Sequence, residues 1–136
     1  MARRDDLHFP VKRALQKDGW KITHDPVVLY FRELRMQADL GAGRLMAGEK
    51  EGRQIVVEVK DFDSPSLVNE LQKMMGQLEL YQWALDEQAQ ARDLFLALSR
   101  AVYDDCLQFA PSAFNAIIER KKINLIVFDE TLEVIW

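Results

Sequence analysis

The sequence predicts an α/β domain of the α+β kind, a mixed central sheet flanked by helices in three layers. Three observations carry that expectation. Residues 20 to 62 repeat their apolar positions every second residue, most plainly in "IVVEVKDF" (55–62), the period of an extended chain. A long stretch of helical period follows, and then the short, nearly continuous apolar run "DLFLALS", the pattern of a strand buried on both faces after a crossover helix. The resulting order is α-β-β-β-α-β-α-α-β-β.

The first helix is expected from about Asp6 to Asp18, with Leu7, Val11, Ala14 and Leu15 on one face and Gly19 as its stop; Pro10 obscures where it starts. "WKITHDP" and "VVLYF" then read as strands, and "QADLGAGRLMAGEKEGRQIVVEVKDF" reads as two more, folded back through "EKEG" into an antiparallel meander. In "DSPSLVNELQKMMGQLELYQWALDEQ" Ser64 is the expected N-cap and Pro65 the first helical residue. Leu67, Leu71, Met74, Leu78, Tyr81 and Leu85 form the apolar stripe of that long helix. After "DLFLALS" come helices around Val102 to Phe109 and Pro111 to Arg120, and closing strands "INLIVF" and "LEVIW".

At 136 residues, 49% hydrophobic and 29% charged, the chain reads as one soluble domain, residues 1–136, that can bury a core without covalent staples. A single cysteine, Cys106, excludes a disulfide framework and a cysteine zinc site within the chain, and it reads as a small buried apolar residue. The start "MARRDDLHFP" lacks the apolar core of a signal peptide, and no run of about eighteen apolar residues occurs. A cytoplasmic protein with no membrane partner is expected. The net charge of −4 argues against a chain held on nucleic acid by its own phosphate contacts, which call for a basic surplus.

Chemistry is concentrated around residue 58. On an extended backbone Glu58 and Lys60 point to one face and Val57 and Val59 to the other. Asp39, in "MQADLGAG", lies at or near the end of the preceding strand, so a hairpin through "EKEG" would bring it toward Glu58. Two carboxylates are hard oxygen ligands suited to Mg²⁺ or Mn²⁺, and a lysine beside such a cation would orient or deprotonate water. Metal-assisted phosphodiester cleavage is the reaction that set fits. The alternative is an ordinary solvent-exposed Glu–Lys pair of less than about 1 kcal/mol. Gln77 and Tyr81, four apart on the next helix, put an amide and a phenol on one face.

The remaining residues read as structural. His24 and Asp25 in "THDP" mark a turn, "GAG" at 41–43 a bulge, and Trp20, Trp83 and Trp136 core or interface. If the reverse face of the long helix, with Met75 and Trp83, is apolar as well, it suits a homo-oligomer or a companion protein.

A helix, strands bearing "ADLG" and "VEVK", a helix with "GQLELY" and a further strand resemble the PD-(D/E)XK nuclease superfamily, its RecB-like branch in particular, over residues 5 to 99. That resemblance implies a restriction-endonuclease-like fold, metal held by Asp39 and Glu58, water activation by Lys60, and support from Gln77 and Tyr81. It also implies a site role for a first-helix residue, here His8. Ala38 replaces the superfamily's proline. Over nearly the whole chain, "DGWKITHDP", "ADLGAG", "VEVKDF", "GQLELYQ" and "KKINLIVFD" are similar to XisH, the fdxN element excision controlling factor family of cyanobacteria. The likeness implies an accessory factor for site-specific DNA excision, acting on DNA with an XisI-like companion and a recombinase. Two readings of this chain follow and stay open: a Mg²⁺-dependent deoxyribonuclease, or a non-catalytic regulatory module that keeps the nuclease fold.

Overall fold

The computed structural model describes residues 2–36, 43–62, 66–88, 92–129 and 134–135. Its elements run α1 (Ala2–Lys17), β1 (Lys21–His24), β2 (Leu29–Phe31), β3 (Leu34–Met36), β4 (Gly43–Lys50), β5 (Arg53–Lys60), α2 (Leu67–Glu87), β6 (Arg92–Ser99), α3 (Arg100–Phe109), α4 (Pro111–Lys121), β7 (Asn124–Phe128) and β8 (Val134–Ile135). From α2 onward the order matches the expectation. Before it stand five strands, one more than the four segments that read as strands in the sequence.

The addition is β3, which pairs with β2 as a separate hairpin outside the main sheet. Sequence reading missed β3 because "LRM" is largely exposed and its turn carries no glycine, asparagine or proline. Arg32 instead adopts φ 54°, a conformation that local turn rules assign to other residue types. The hairpin is held from outside itself. Phe31 meets Trp83 of α2 at a ring-centroid distance of 5.6 Å, Arg32 pairs with Glu87 at 3.0 Å, and Gln88 Nε2 donates to the Tyr30 carbonyl. The reverse face of α2, a candidate partner surface from sequence, is thus partly covered by the chain's own hairpin.

The main sheet has six strands in the order β1-β4-β5-β6-β7-β8. Its centre, β5-β6-β7, is parallel, while β1, β4 and β8 run antiparallel to their neighbours. The β4–β5 turn is two residues long and both have positive φ, Glu51 at 53° and Gly52 at 78°. That mirror-image turn matches the twist of the two strands, and it fixes their register from Lys50↔Arg53 to Gly43↔Lys60.

Two cores sandwich this sheet. Val11, Ala14 and Leu15 of α1 bury Val57 and Val59 of β5, with Phe95, Ala97 and Ile126, on one face. Leu71, Met74, Leu78, Tyr81 and Leu85 of α2, with Cys106 and Phe114, cover Val56, Leu94, Leu96 and Leu98 on the other. β5 is covered on both sides, which is why Ile55 to Lys60 are all buried.

Helix ends follow their capping chemistry, with two corrections to the sequence reading. α1 continues N-terminally through Pro10 to Ala2 and so starts before Asp6. It stops as expected: Gly19 at φ 100° receives the chain while its N–H donates to Gln16 and that of Trp20 donates to Leu15, closing two of the orphan carbonyls. α2 is capped by Ser66, whose Oγ accepts the Asn69 N–H at 3.2 Å. Ser64 and Pro65 lie outside the described residues. Among the described residues no helix is long and apolar enough to cross a membrane.

Candidate functional site

Glu58 and Lys60 are in phase with Val56, so they face α2. Both side chains are sealed, Glu58 at 0% and Lys60 at 1% exposure, and Lys60 Nζ lies 3.4 Å from Glu58 Oε2. The pair is therefore not the solvent-exposed ornament that short sequence patterns of this kind ordinarily describe. Burying a carboxylate and an ammonium costs several kcal/mol for each ion, roughly what their attraction returns, and two apolar side chains of the same volume would hold the strand as well. Stability alone gives this position no reason to be charged.

The crossover places α2 against the pair. Leu67 at the start of α2 lines a cavity with Asp61, just past the end of β5, whereas Leu78 lines a second cavity with Leu94 and Leu96. Leu96 is in register with Glu58. α2 thus runs antiparallel to β5. Gln77 is half-buried and Tyr81 buried in the α2 core.

Glu70 is the residue that sequence reading passed over. Its side chain is 7% exposed, one of three buried charged side chains among the described residues, the others being Glu58 and Lys60. At about 100° per residue, positions 70, 74, 77 and 81 fall within roughly 60° of arc, so Glu70, Met74, Gln77 and Tyr81 form one stripe. The signal was available: a glutamate in phase with the core positions Met74 and Tyr81.

Asp39 lies outside the described residues. His8 falls on the described backbone of α1 but its side chain is not among the described ones. β4 begins at Gly43, opposite Lys60, and Asp39 stands four residues earlier in the chain. Among the described residues no three His, Cys, Asp or Glu side chains form a group able to hold a metal ion. Elsewhere, His24 Nδ1 lies 3.1 Å from Thr23 Oγ1 at an exposed position, and Asp25 binds Lys12 Nζ at 3.2 Å, tying α1 to the end of β1. Cys106 is buried as expected. Its thiol is pushed up to about 11, first by burial and then by the Asp105 carboxylate beside it.

Taken together these features define a three-layer α/β domain whose central parallel strand carries one sealed ionic centre beneath its crossover helix. The XisH protein family profile matches residues 1–136. Two solved structures share the fold along nearly the full length. One is an XisH family protein from Nostoc punctiforme, 30% identical, with 95% of each chain covered and a TM-score of 0.82. The other is an fdxN element excision controlling factor protein from Anabaena variabilis, 32% identical, with 98% of each chain covered and a TM-score of 0.82. A search of curated proteins finds no match. The chain belongs to the XisH family.

Proposed function

We propose that this protein is an accessory, controlling factor for site-specific excision of a DNA element, and that its centre is a metal-dependent phosphodiesterase site of the PD-(D/E)XK, restriction-endonuclease-like type. The observation that carries this reading is the sealed Glu58–Lys60 pair, 3.4 Å apart on the central strand beneath α2. The first half of the proposal also draws on the Anabaena variabilis relative, which is itself described as an fdxN element excision controlling factor.

In this reading Glu58 and Asp39 would hold Mg²⁺ or Mn²⁺, with His8 as a further contributor. Asp39 precedes Gly43 by four residues, a length of chain that spans at most about 14 Å. The donor chemistry fits, because hard carboxylate oxygens suit these cations. The cation would supply charge stabilisation at a phosphodiester. Lys60 Nζ, 3.4 Å from Glu58 Oε2, would orient the attacking water and help to remove its proton. Gln77 would present its amide to a phosphate oxygen, and Tyr81 would fix the position of that amide from below. The partners in this reading are DNA, an XisI-like companion and a site-specific recombinase.

A second reading is a non-catalytic regulatory module that retains the nuclease fold and works through the companion or the recombinase. The charge of −4 favours it, as does the engagement of basic side chains by acids, Lys12 with Asp25 and Lys121 with Glu79. One experiment separates the two. Purified protein is incubated with supercoiled plasmid and with single-stranded DNA in Mg²⁺ or Mn²⁺, beside Lys60→Ala and Asp39→Ala. Cleavage lost in both variants supports the nuclease. Cleavage that survives Lys60→Ala refutes the assigned mechanism, and excision in cells that proceeds normally with both variants establishes the regulatory reading.

A further inference from the structure

Beyond the end of β5 lies a cavity of about 190 Å³, the size of one large side chain. One wall is a single stripe of α3, in which Val102, Asp105, Cys106 and Phe109 recur at three- and four-residue spacing. Leu67 of α2 and Asp61 form the other wall. Its chemistry is two-sided. Phe62, Leu67, Val102 and the Cys106 thiol make its lining largely apolar, and two carboxylates, Asp61 and Asp105, stand among the lining residues. Phe109 projects at the rim with 74% of its surface exposed, the largest exposure of any bulky apolar side chain described.

We infer that this groove is a docking site for a protein segment that presents a large apolar side chain next to an arginine or lysine. Charge decides between occupants. A nucleic acid would bring phosphate against the exposed Asp105 carboxylate, whereas a guanidinium or ammonium gains from it while its stem and its neighbour cover the apolar lining. An exposed aromatic beside a side-chain-sized pocket is the usual composition of a binding hot spot. The inference stands on the groove alone, so the outcome of DNA-cleavage assays leaves it untouched.

The test is a titration of ¹⁵N-labelled full chain followed by amide chemical shifts, with three probes. These are a capped hexapeptide alternating leucine and arginine, its counterpart with glutamate for arginine, and a twelve-residue oligothymidylate. The arginine peptide is expected to move the amides of Leu67, Val102 and Phe109, and to bind at least about tenfold more tightly than the glutamate peptide. Phe109→Ala and Asp105→Lys should each weaken it about tenfold. Both positions are exposed, and the dispersion of the spectrum reports folding. If Asp105→Lys fails to fold, Asp105→Asn is read in its place. The proposal is overturned if the arginine peptide leaves the groove amides unmoved, if both peptides bind alike, if the oligothymidylate moves the same amides, or if they shift with protein concentration alone.

Discussion

Lys60 Nζ sits 3.4 Å from Glu58 Oε2, and neither side chain touches water. Removing one member strands the other's charge in a low-dielectric layer between the sheet and α2, so Lys60→Met and Glu58→Leu should each cost about 3–5 kcal/mol. Replacing both together should recover most of that loss, because no ion is then left buried. Urea unfolding of the two single variants and the double variant measures this. Single variants that lose less than about 1 kcal/mol would show that the pair reaches solvent.

The β4–β5 turn should accept improvement at one position and none at the other. Glu51 holds φ 53°, which asparagine adopts more readily than glutamate, so Glu51→Asn should stabilise by about 0.5–1 kcal/mol. Gly52 holds φ 78°, and a Cβ there would meet nothing within 4 Å. Gly52→Ala should therefore cost about 1 kcal/mol through backbone strain alone. Shifts in the urea midpoint at constant slope give both values, and a loss of stability in Glu51→Asn would count against the turn geometry.

Burial of Cys106 makes stability fall at high pH. Its folded thiol titrates at about 11 against an ordinary value of 9.0, so between these the unfolded chain has given up a proton that the folded one keeps. The unfolded state then binds fewer protons, and the free energy of unfolding falls as pH rises through that window, by on the order of 2 kcal/mol in total. Below pH 9 the effect is absent. Unfolding curves collected from pH 8 to 10.5 on wild type and Cys106→Ala test it, the variant having the shallower fall. Parallel pH profiles for the two proteins would refute it.

The β2–β3 hairpin depends on α2 for its place. Trp83, packed at a tilt against Phe31 with ring centroids 5.6 Å apart and 44% exposed, is an aromatic contact of the hairpin. Trp83→Ala should cost about 1–2 kcal/mol and speed amide hydrogen exchange selectively over Leu29 to Met36, leaving β5 and β6 protected. Acceleration spread evenly over the whole chain would instead mean that the hairpin and the main sheet open as one unit.

How much of this was legible in the sequence varies with the range of the interaction that decides it. The α2–β6 crossover, the two helices after it and the tight β4–β5 fold-back followed from local period and turn chemistry. So did the stop of α1 at Gly19 and the burial of Cys106. β3 and its pairing with β2 did not, because the exposed "LRM" carries no periodic signal and the hairpin's contacts come from Trp83 and Glu87, more than fifty residues away in the chain. Glu70 was readable in principle from its phase with Met74 and Tyr81, yet a lone helical glutamate ordinarily faces water.

Strand periodicity by itself determined that Glu58 and Lys60 share a side of β5, since alternate side chains on an extended backbone must point the same way. Whether that side meets water or protein was settled only when α2 folded back across the sheet. Side-chain direction is a property of the local backbone, but burial belongs to whatever the rest of the chain lays on top. The same two charges that would be a weak surface pair on an open strand become a sealed ionic centre under a helix.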